Sequence, residues 1–359
     1  MRLFTSALCT AVAVGLLAGC SSGNLGSTSS LPSTSGAQSH HVQALSLIPA
    51  DLRPGGALNT AHQLIFNSPD KKKKKGGIYV SEFYGSDIYG YTNPDSSNGA
   101  PICTVSGVSY PNSIAVDGKG NLIDPDGGTR SVIVFKGPGM CGSEAGSTAD
   151  SYGQPSDASS ANAATGTIVV GNIFDNSSVN SGHGSISLCT LSGGCTTNLT
   201  ASSMYEVAGV AQAKNKDCWA SATDSAGTAT LTYFKGCSGS GTQATGFKNS
   251  SYGGLDIDSK GNIVSIDAFA NGVGAVYVYK GCNPACTVVG GPFALSGESV
   301  FGHLDKKSKN FIAGDFANGK ADVYSYSATK GLKLEYSITN GLTSSYDVEG
   351  VAFNPRSKE

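Results

Sequence analysis

The sequence predicts an all-β chain of repeated short strands, and three observations carry that prediction. A short apolar strand, usually ending in an acidic or amide residue, recurs six times. A second kind of strand, running into a tight turn rich in Asp, Gly and Asn, precedes several of those copies. No stretch of the body carries a convincing apolar period of 3.6 residues, so amphipathic helices are not expected. Composition agrees, since 49 glycines among 359 residues supply many turns. Charged residues are 14% of the chain, against about 25% in an average soluble domain, and hydrophobic residues are 39%. These figures exclude a highly charged disordered chain. Glycines without a three-residue period exclude collagen. A formal net charge of -2 offers no basic surplus for nucleic acid.

The N-terminus reads as an address. Arg2 supplies a positive start and Leu3 to Leu17 a short apolar stretch. A membrane-spanning helix needs about 20 apolar residues, so this segment reads as an export signal over 1–19. It ends in Leu17-Ala18-Gly19-Cys20, which resembles the bacterial lipobox. The resemblance implies cleavage before Cys20, lipid attachment to its thiol, and anchoring in the bilayer. Ser21 in place of Asp implies the outer membrane if the source is Gram-negative. Loss of Arg2 leaves 23 Lys+Arg against 26 Asp+Glu, or -3.

Residues 20–60 are rich in Ser, Gly, Thr and Ala and read as a flexible tether. His40-His41 lies within it and is expected to be a solvated pair. Lys71–Lys75 follows just before the repeats. It reads as an extended solvated turn, with contact to anionic head groups or polysaccharide as the alternative.

The globular region is expected over 61–359. Its repeats start at Ile78, Leu122, Ile168, Cys218, Ile263 and Phe311, separated by 44, 46, 50, 45 and 48 residues. Most copies continue with an alternating strand, such as Ser131–Phe135 or Ala275–Tyr279, then a less regular stretch. A last strand runs into a tight turn, as in Ile114–Asn121 and Leu255–Asn262. Four strands per ~45 residues is the signature of a propeller blade. Six such sheets bury their faces against one another in a ring. The expected fold is therefore a six-bladed β-propeller of four-stranded antiparallel blades. Gly139–Gly166 is rich in Ser, Ala and Gly, so short or irregular strands are expected there. The runs His62–Asn67 and Glu349–Asn354 both resemble the last strand of a unit. The C-terminal run is expected to complete the last blade, and the N-terminal run to add an edge. The segment Pro111–Ile123 resembles an NHL repeat, and residues 252–279 do so more loosely.

Of ten cysteines, Cys9 leaves with the signal and Cys20 takes the lipid, so eight remain for disulfides. Cys189–Cys195 and Cys282–Cys286 are local pairs expected to staple hairpins between second and third strands. Cys218 and Cys237 flank a turn near Ala226-Gly227-Thr228 and are expected to oppose one another. Cys103–Cys141 follows by elimination, across neighbouring blades. Paired ligand clusters with zinc spacing are lacking.

The strand ends Glu82, Asp126, Asn172, Asp267 and Asp315 have two readings. They form a ring of oxygens for a hard cation, or they accept hydrogen bonds from adjacent turns; the second is favoured. The enzyme reading rests on similarity to the metal-dependent gluconolactonase family. That similarity implies metal ligands near the starts of last strands, where this chain offers Asn112 and Glu349. Ser156, Ala208 and Gly253 stand at or near that place elsewhere, and Glu349-Gly350 lacks the proline that follows in the family. Calcium takes 6–8 oxygen ligands, so no cofactor is expected, with calcium as the alternative. His62, His183 and His303 are widely separated, and no nucleophile elbow occurs, so no catalytic residue is assigned. The expected function is a monomeric binding or scaffold module at the cell envelope. Its partner would be an envelope protein, a glycan or a small molecule. A lactonase-like hydrolase and a polysaccharide or cell-wall binding module are the alternatives.

Overall fold

The structure is a computed structural model, and it describes residues 76–92, 98–175, 183–342 and 346–354, with the backbone strand Ile65–Asn67. The expected signal peptide and tether, Cys20, His62 and Lys71–Lys75 lie outside the described residues.

In chain order the strands are β1 (Ile65–Asn67), β2 (Gly77–Glu82), β3 (Asp87–Thr92), β4 (Cys103–Ser106), β5 (Ala115–Val116), β6 (Leu122–Asp126), β7 (Ser131–Phe135) and β8 (Glu144–Ala149). Then come β9 (Gly153–Ser159), β10 (Ile168–Asp175), β11 (Ser185–Thr190), β12 (Gly194–Leu199), β13 (Glu206–Gln212), β14 (Cys218–Thr223), β15 (Ala229–Phe234) and β16 (Thr242–Gln243). The last are β17 (Leu255–Ile257), β18 (Ile263–Asp267), β19 (Ala275–Gly281), β20 (Cys286–Ala294), β21 (Gly302–Leu304), β22 (Asn310–Asp315), β23 (Lys320–Ser327), β24 (Gly331–Ile338) and β25 (Val348–Asn354). They form six antiparallel sheets, which are the blades of a six-bladed β-propeller. Five sheets run in simple order from β5–β8 through β21–β24, and the first blade is ordered β1-β4-β3-β2-β25.

Each second strand is buried on both faces, because its alternate side chains serve two neighbouring blades. On β2, Tyr79 packs with Ile114, Leu122 and Phe135 of the second blade. Ile78 and Val80 turn the other way, against Ile312 and Val323 of the sixth. On β6, Leu122 faces the first blade and Ile123 joins Ala158, Ile168 and Val170 of the third. This is why the recurring strands read as continuous apolar runs. Burying each such side chain contributes about 1.5–3 kcal/mol.

The tight turns belong to the entry of each blade, not to the exit of the previous one. Val116 pairs with Leu122 and Ile257 with Ile263, so the strand before the turn is the innermost strand of the blade that follows. This regrouping corrects the closure. β25 pairs with β2, Ile78 opposite Phe353 and Val80 opposite Val351, so the C-terminal strand completes the first blade and not the last. β1 pairs with β4 and adds a fifth strand at that blade's outer edge.

Two further expectations are corrected. The Ser/Ala/Gly-rich stretch forms strands of ordinary length, β8 of six residues and β9 of seven, though both pair with register shifts, so the irregularity is present and the shortness is not. β9 is buried, and its small polar side chains find partners: Ser156 Oγ donates to Gly171 O at 3.0 Å and reaches Val207 O at 2.9 Å. Cys218 opposes Phe234, not Cys237. The hairpin turns at Asp224–Thr228, three residues tighter in index sum than direct opposition would need. A 3-10 turn at Lys235–Cys237, with Gly236 at φ 61°, returns Cys237 so that the two Cα atoms stand 5.2 Å apart.

The eight described cysteines form four bonded pairs, Cys103–Cys141, Cys189–Cys195, Cys218–Cys237 and Cys282–Cys286. The local pairs staple β11 to β12 and β19 to β20, the third and fourth strands counted from the axis. Cys103 in β4 ties the first blade to the β7–β8 turn of the second.

Candidate functional site

Antiparallel order gives the ring two unlike faces. One carries the turns from innermost to second strand and from third to fourth. The other carries the remaining loops, including those entering each innermost strand.

The first face is built on a repeated turn. Asp117 Oδ1 accepts the amides of Lys119 (2.7 Å) and Asn121 (2.9 Å), and its Oδ2 accepts the Asn121 side-chain amide (2.7 Å). Asp258 does the same with Lys260 and Asn262, and Asp305 holds Lys309 and Asn310 in a turn one residue longer. Gly120 (φ 86°) and Gly261 (φ 81°) take the left-handed position these turns need. The aspartates are therefore spent on their own turns, and the intervening lysines project into solvent.

These turns surround a cavity of about 910 Å³ on the propeller axis. All six blades line it, through Val116, Ser160, Gln212, Ile257, His303 and Phe353 among others. His303 Nδ1 lies 3.6 Å from Asp256 Oδ2. Asp256 also binds its blade to the next, accepting Ile257 N at 2.6 Å and Leu304 N at 2.7 Å. Burial opposes charge on His303, but the Asp256 carboxylate beside it and Asp157 further off hold its pKa above the ordinary histidine value. Burial pushes Asp157 up to about 6, against the pull of His303 and of its own hydrogen bonds. Trp219 also lines the cavity and is fixed by an Nε1 bond to Cys282 O at 2.7 Å.

At the other face, counting back along each innermost strand places Asn112, Ser156, Ala208, Gly253, Val300 and Glu349 at one level. Burial, with Asp347 adding to it, raises Glu349 to about 8. Asn112 donates its amide to Pro155 O at 3.2 Å. At this level Glu349 is the one carboxyl, with the Asn112 amide already bonded to Pro155 O, whereas calcium takes 6–8 oxygen ligands. Nearby, burial raises Glu206 to about 7 despite a bond from the Tyr252 hydroxyl. The one group of three potential ligands among the described residues, Asp150 with Cys189 and Cys195, has both cysteines in a disulfide.

The strand-end acids are not gathered into a central ring; they lie on second strands and hold loops. Asp126 accepts Ser109 N and Thr129 N, both at 2.7 Å. Asp267 accepts Ser250 N (2.7 Å) and Ser251 N (2.9 Å), and Asp315 bonds Asn318 and pairs with Lys320 at 3.3 Å. Asn172 donates to Ser187 and Asp150, while Glu82 is buried at the end of β2. His183 is exposed in the β10–β11 loop, with its ring 5.7 Å from that of Tyr205. The cavity around His303 was not singled out from sequence; the signal present was the lysine repeated in successive tight turns.

No protein-family profile and no curated protein matches the chain. Solved structures do match in shape. A chain of the nidogen/laminin complex superposes with a TM-score of 0.54 at 9% identity, covering 79% of this chain and 100% of that one. A functionally unknown protein from Desulfotomaculum acetoxidans DSM 771 gives 0.52 at 9% identity, with 78% and 99% covered. At such identity the likeness is one of fold alone, and the chain is a six-bladed β-propeller.

Proposed function

We propose that the protein is an exported binding module, lipid-anchored through Cys20 at the cell envelope, that takes its ligand in the axial cavity. The observation that carries the binding reading is the cavity itself, lined by all six blades and bordered by turns held through carboxylate-locked backbone. Loops on a rigid frame are the usual place for recognition. The lipobox-like run before Cys20 supports the anchor.

Intact mass of the membrane-extracted protein tests the anchor. The expected species lacks residues 1–19 and carries lipid on Cys20, and Cys20→Ser moves the protein to the soluble fraction. An unmodified Cys20 overturns it. A glycan and small-molecule array tests the cavity, with Ala161→Trp as a plug at its exposed rim. Binding that the plug abolishes is expected; binding that ignores the plug places the site elsewhere.

A further inference from the structure

We propose that the axial cavity selects an anionic oligomer, a chain of sugars or phosphates bearing carboxylate or phosphate groups, which lies across the mouth on two arcs of lysine. This rests on the reading of the cavity as a ligand site.

The inner arc comes from the turns between innermost and second strands. The second, fourth, fifth and sixth blades place Lys119, Lys214, Lys260 and Lys306 there, all exposed. The last three recur every 46 residues and line the cavity. The outer arc comes from the turns between third and fourth strands and, for Lys280, from the end of β19 beside that turn. The same four blades supply Lys136, Lys235, Lys280 and Lys330, again all exposed. Each lysine is thus paired radially with another on its own blade. The third blade has no charged residue in either turn, Ser160–Thr167 and Leu191–Gly193.

The acids interleaved with these lysines do not cancel them in kind. Asp117, Asp258 and Asp305 are bound to their own turns. Asp217 accepts Gly236 N at 2.8 Å and the Tyr233 hydroxyl at 3.1 Å. Asp256 is held by two amides beneath His303. Their oxygens are taken up by backbone amides and by neighbouring amide and hydroxyl side chains, while the lysines are exposed and carry their ammonium groups on long stems that can reach a ligand. The opposite face is the reverse. It carries Glu82, Asp126, Asp267, Asp315, Glu206 and Glu349, and the described cations in its loops and strand ends are Arg130, Lys248 and Lys320. Among the described residues, the exposed lysines of the tight turns and the strand-end acids thus stand toward opposite faces. The lining holds four lysines and four aspartates, but the aspartates are buried or half-buried and the lysines are exposed, so the charge presented at the mouth is cationic and draws in anionic ligands. The recess of about 910 Å³ favours a ligand that enters it over a flat lipid surface.

The test uses the mature chain and isothermal calorimetry at physiological salt. The probes are oligogalacturonate, short-chain polyphosphate, a neutral oligosaccharide of equal length, and vesicles containing phosphatidylglycerol. Oligogalacturonate or polyphosphate is expected to bind, at least tenfold more weakly in Lys214→Glu/Lys260→Glu/Lys306→Glu and in the Ala161→Trp plug. Lys333→Glu, a lysine paired with Glu335 outside both arcs, is expected to leave affinity unchanged. If the triple reversal impairs folding, judged by its melting curve, Lys→Gln at the same three positions replaces it. Equal affinity in the neutralised variant overturns the proposal. So does binding to vesicles alone, which would make the face a membrane-docking surface. Plug-sensitive binding of the neutral sugar without the anions also overturns it, while leaving the cavity as a ligand site.

Discussion

Asp157 accepts the backbone amide of Val210 at 2.8 Å, from the innermost strand of the next blade. The other oxygen takes the amide of Ala158 at 2.9 Å. Asp256 repeats this arrangement between the fifth and sixth blades with Ile257 and Leu304. Innermost strands of adjacent blades share no sheet ladder, so a buried side chain supplies the bond the backbone lacks. Asp157→Ala leaves a buried amide unpaired and is expected to cost about 1–3 kcal/mol in denaturant unfolding. Asp157→Asn retains an acceptor oxygen and is expected to cost less. Equal losses in the two variants would show that the acceptor is not what matters.

Ring closure by β25 predicts an asymmetry between the two ends. Ending the chain at Asp347 uncovers β2 and removes Val351 and Phe353 from the core between the sixth and first blades. Cooperative unfolding should be lost, with aggregation on size-exclusion chromatography. Removing residues 1–70 takes away, among the described residues, the outer-edge strand β1, and the remainder should still unfold cooperatively.

The disulfides should differ in weight. Cys103–Cys141 spans 38 positions, and Cys282–Cys286 spans 4. Chain entropy assigns about 4 kcal/mol to the longer loop and about 2 kcal/mol to the shorter. Paired Cys→Ala replacement at 103 and 141 should therefore lower the melting temperature more than replacement at 282 and 286.

Glu349 gives a pH signature. Its folded pKa is raised to about 8 from an ordinary 4.5, chiefly by burial. The folded state then holds the proton more tightly than the unfolded state. This group's contribution to stability is full below pH 4.5, falls between 4.5 and 8, and is level above 8. The slope is at most about 1.4 kcal/mol per pH unit. Glu349→Gln removes the titration, so the variant should gain on the parent as pH rises from 5 to 8. A difference that does not change with pH would show that Glu349 is ionised throughout.

How much was legible depended on the range of the interaction. The six strands from Ile78 to Phe311 declare themselves because burial on both faces requires an unbroken apolar run. Cys189–Cys195 and Cys282–Cys286 follow from proximity along the chain. The Cys218–Cys237 register was misjudged because a turn containing Gly236, not a straight ladder, brings Cys237 back. The assignment of the C-terminal strand failed because both chain ends carry matching patterns. Only the free edge of β2 distinguishes them. Of the candidate site, the lysines of the tight turns were visible but their gathering was not. Adjacent members of the inner arc stand at least 46 residues apart, and nothing local says that their turns share a face.

By itself the sequence determined the all-β class, the number of blades and their period, because strand length, turn chemistry and face burial are local requirements met within each ~45-residue unit. Tertiary structure alone decided which strand closes the ring, that the tight turns border a cavity, and that the lysines of those turns share one face while the strand-end acids lie toward the other. Those properties arise from the circular arrangement of antiparallel sheets, which sends alternate turns to opposite ends of the axis and brings distant charges into one field.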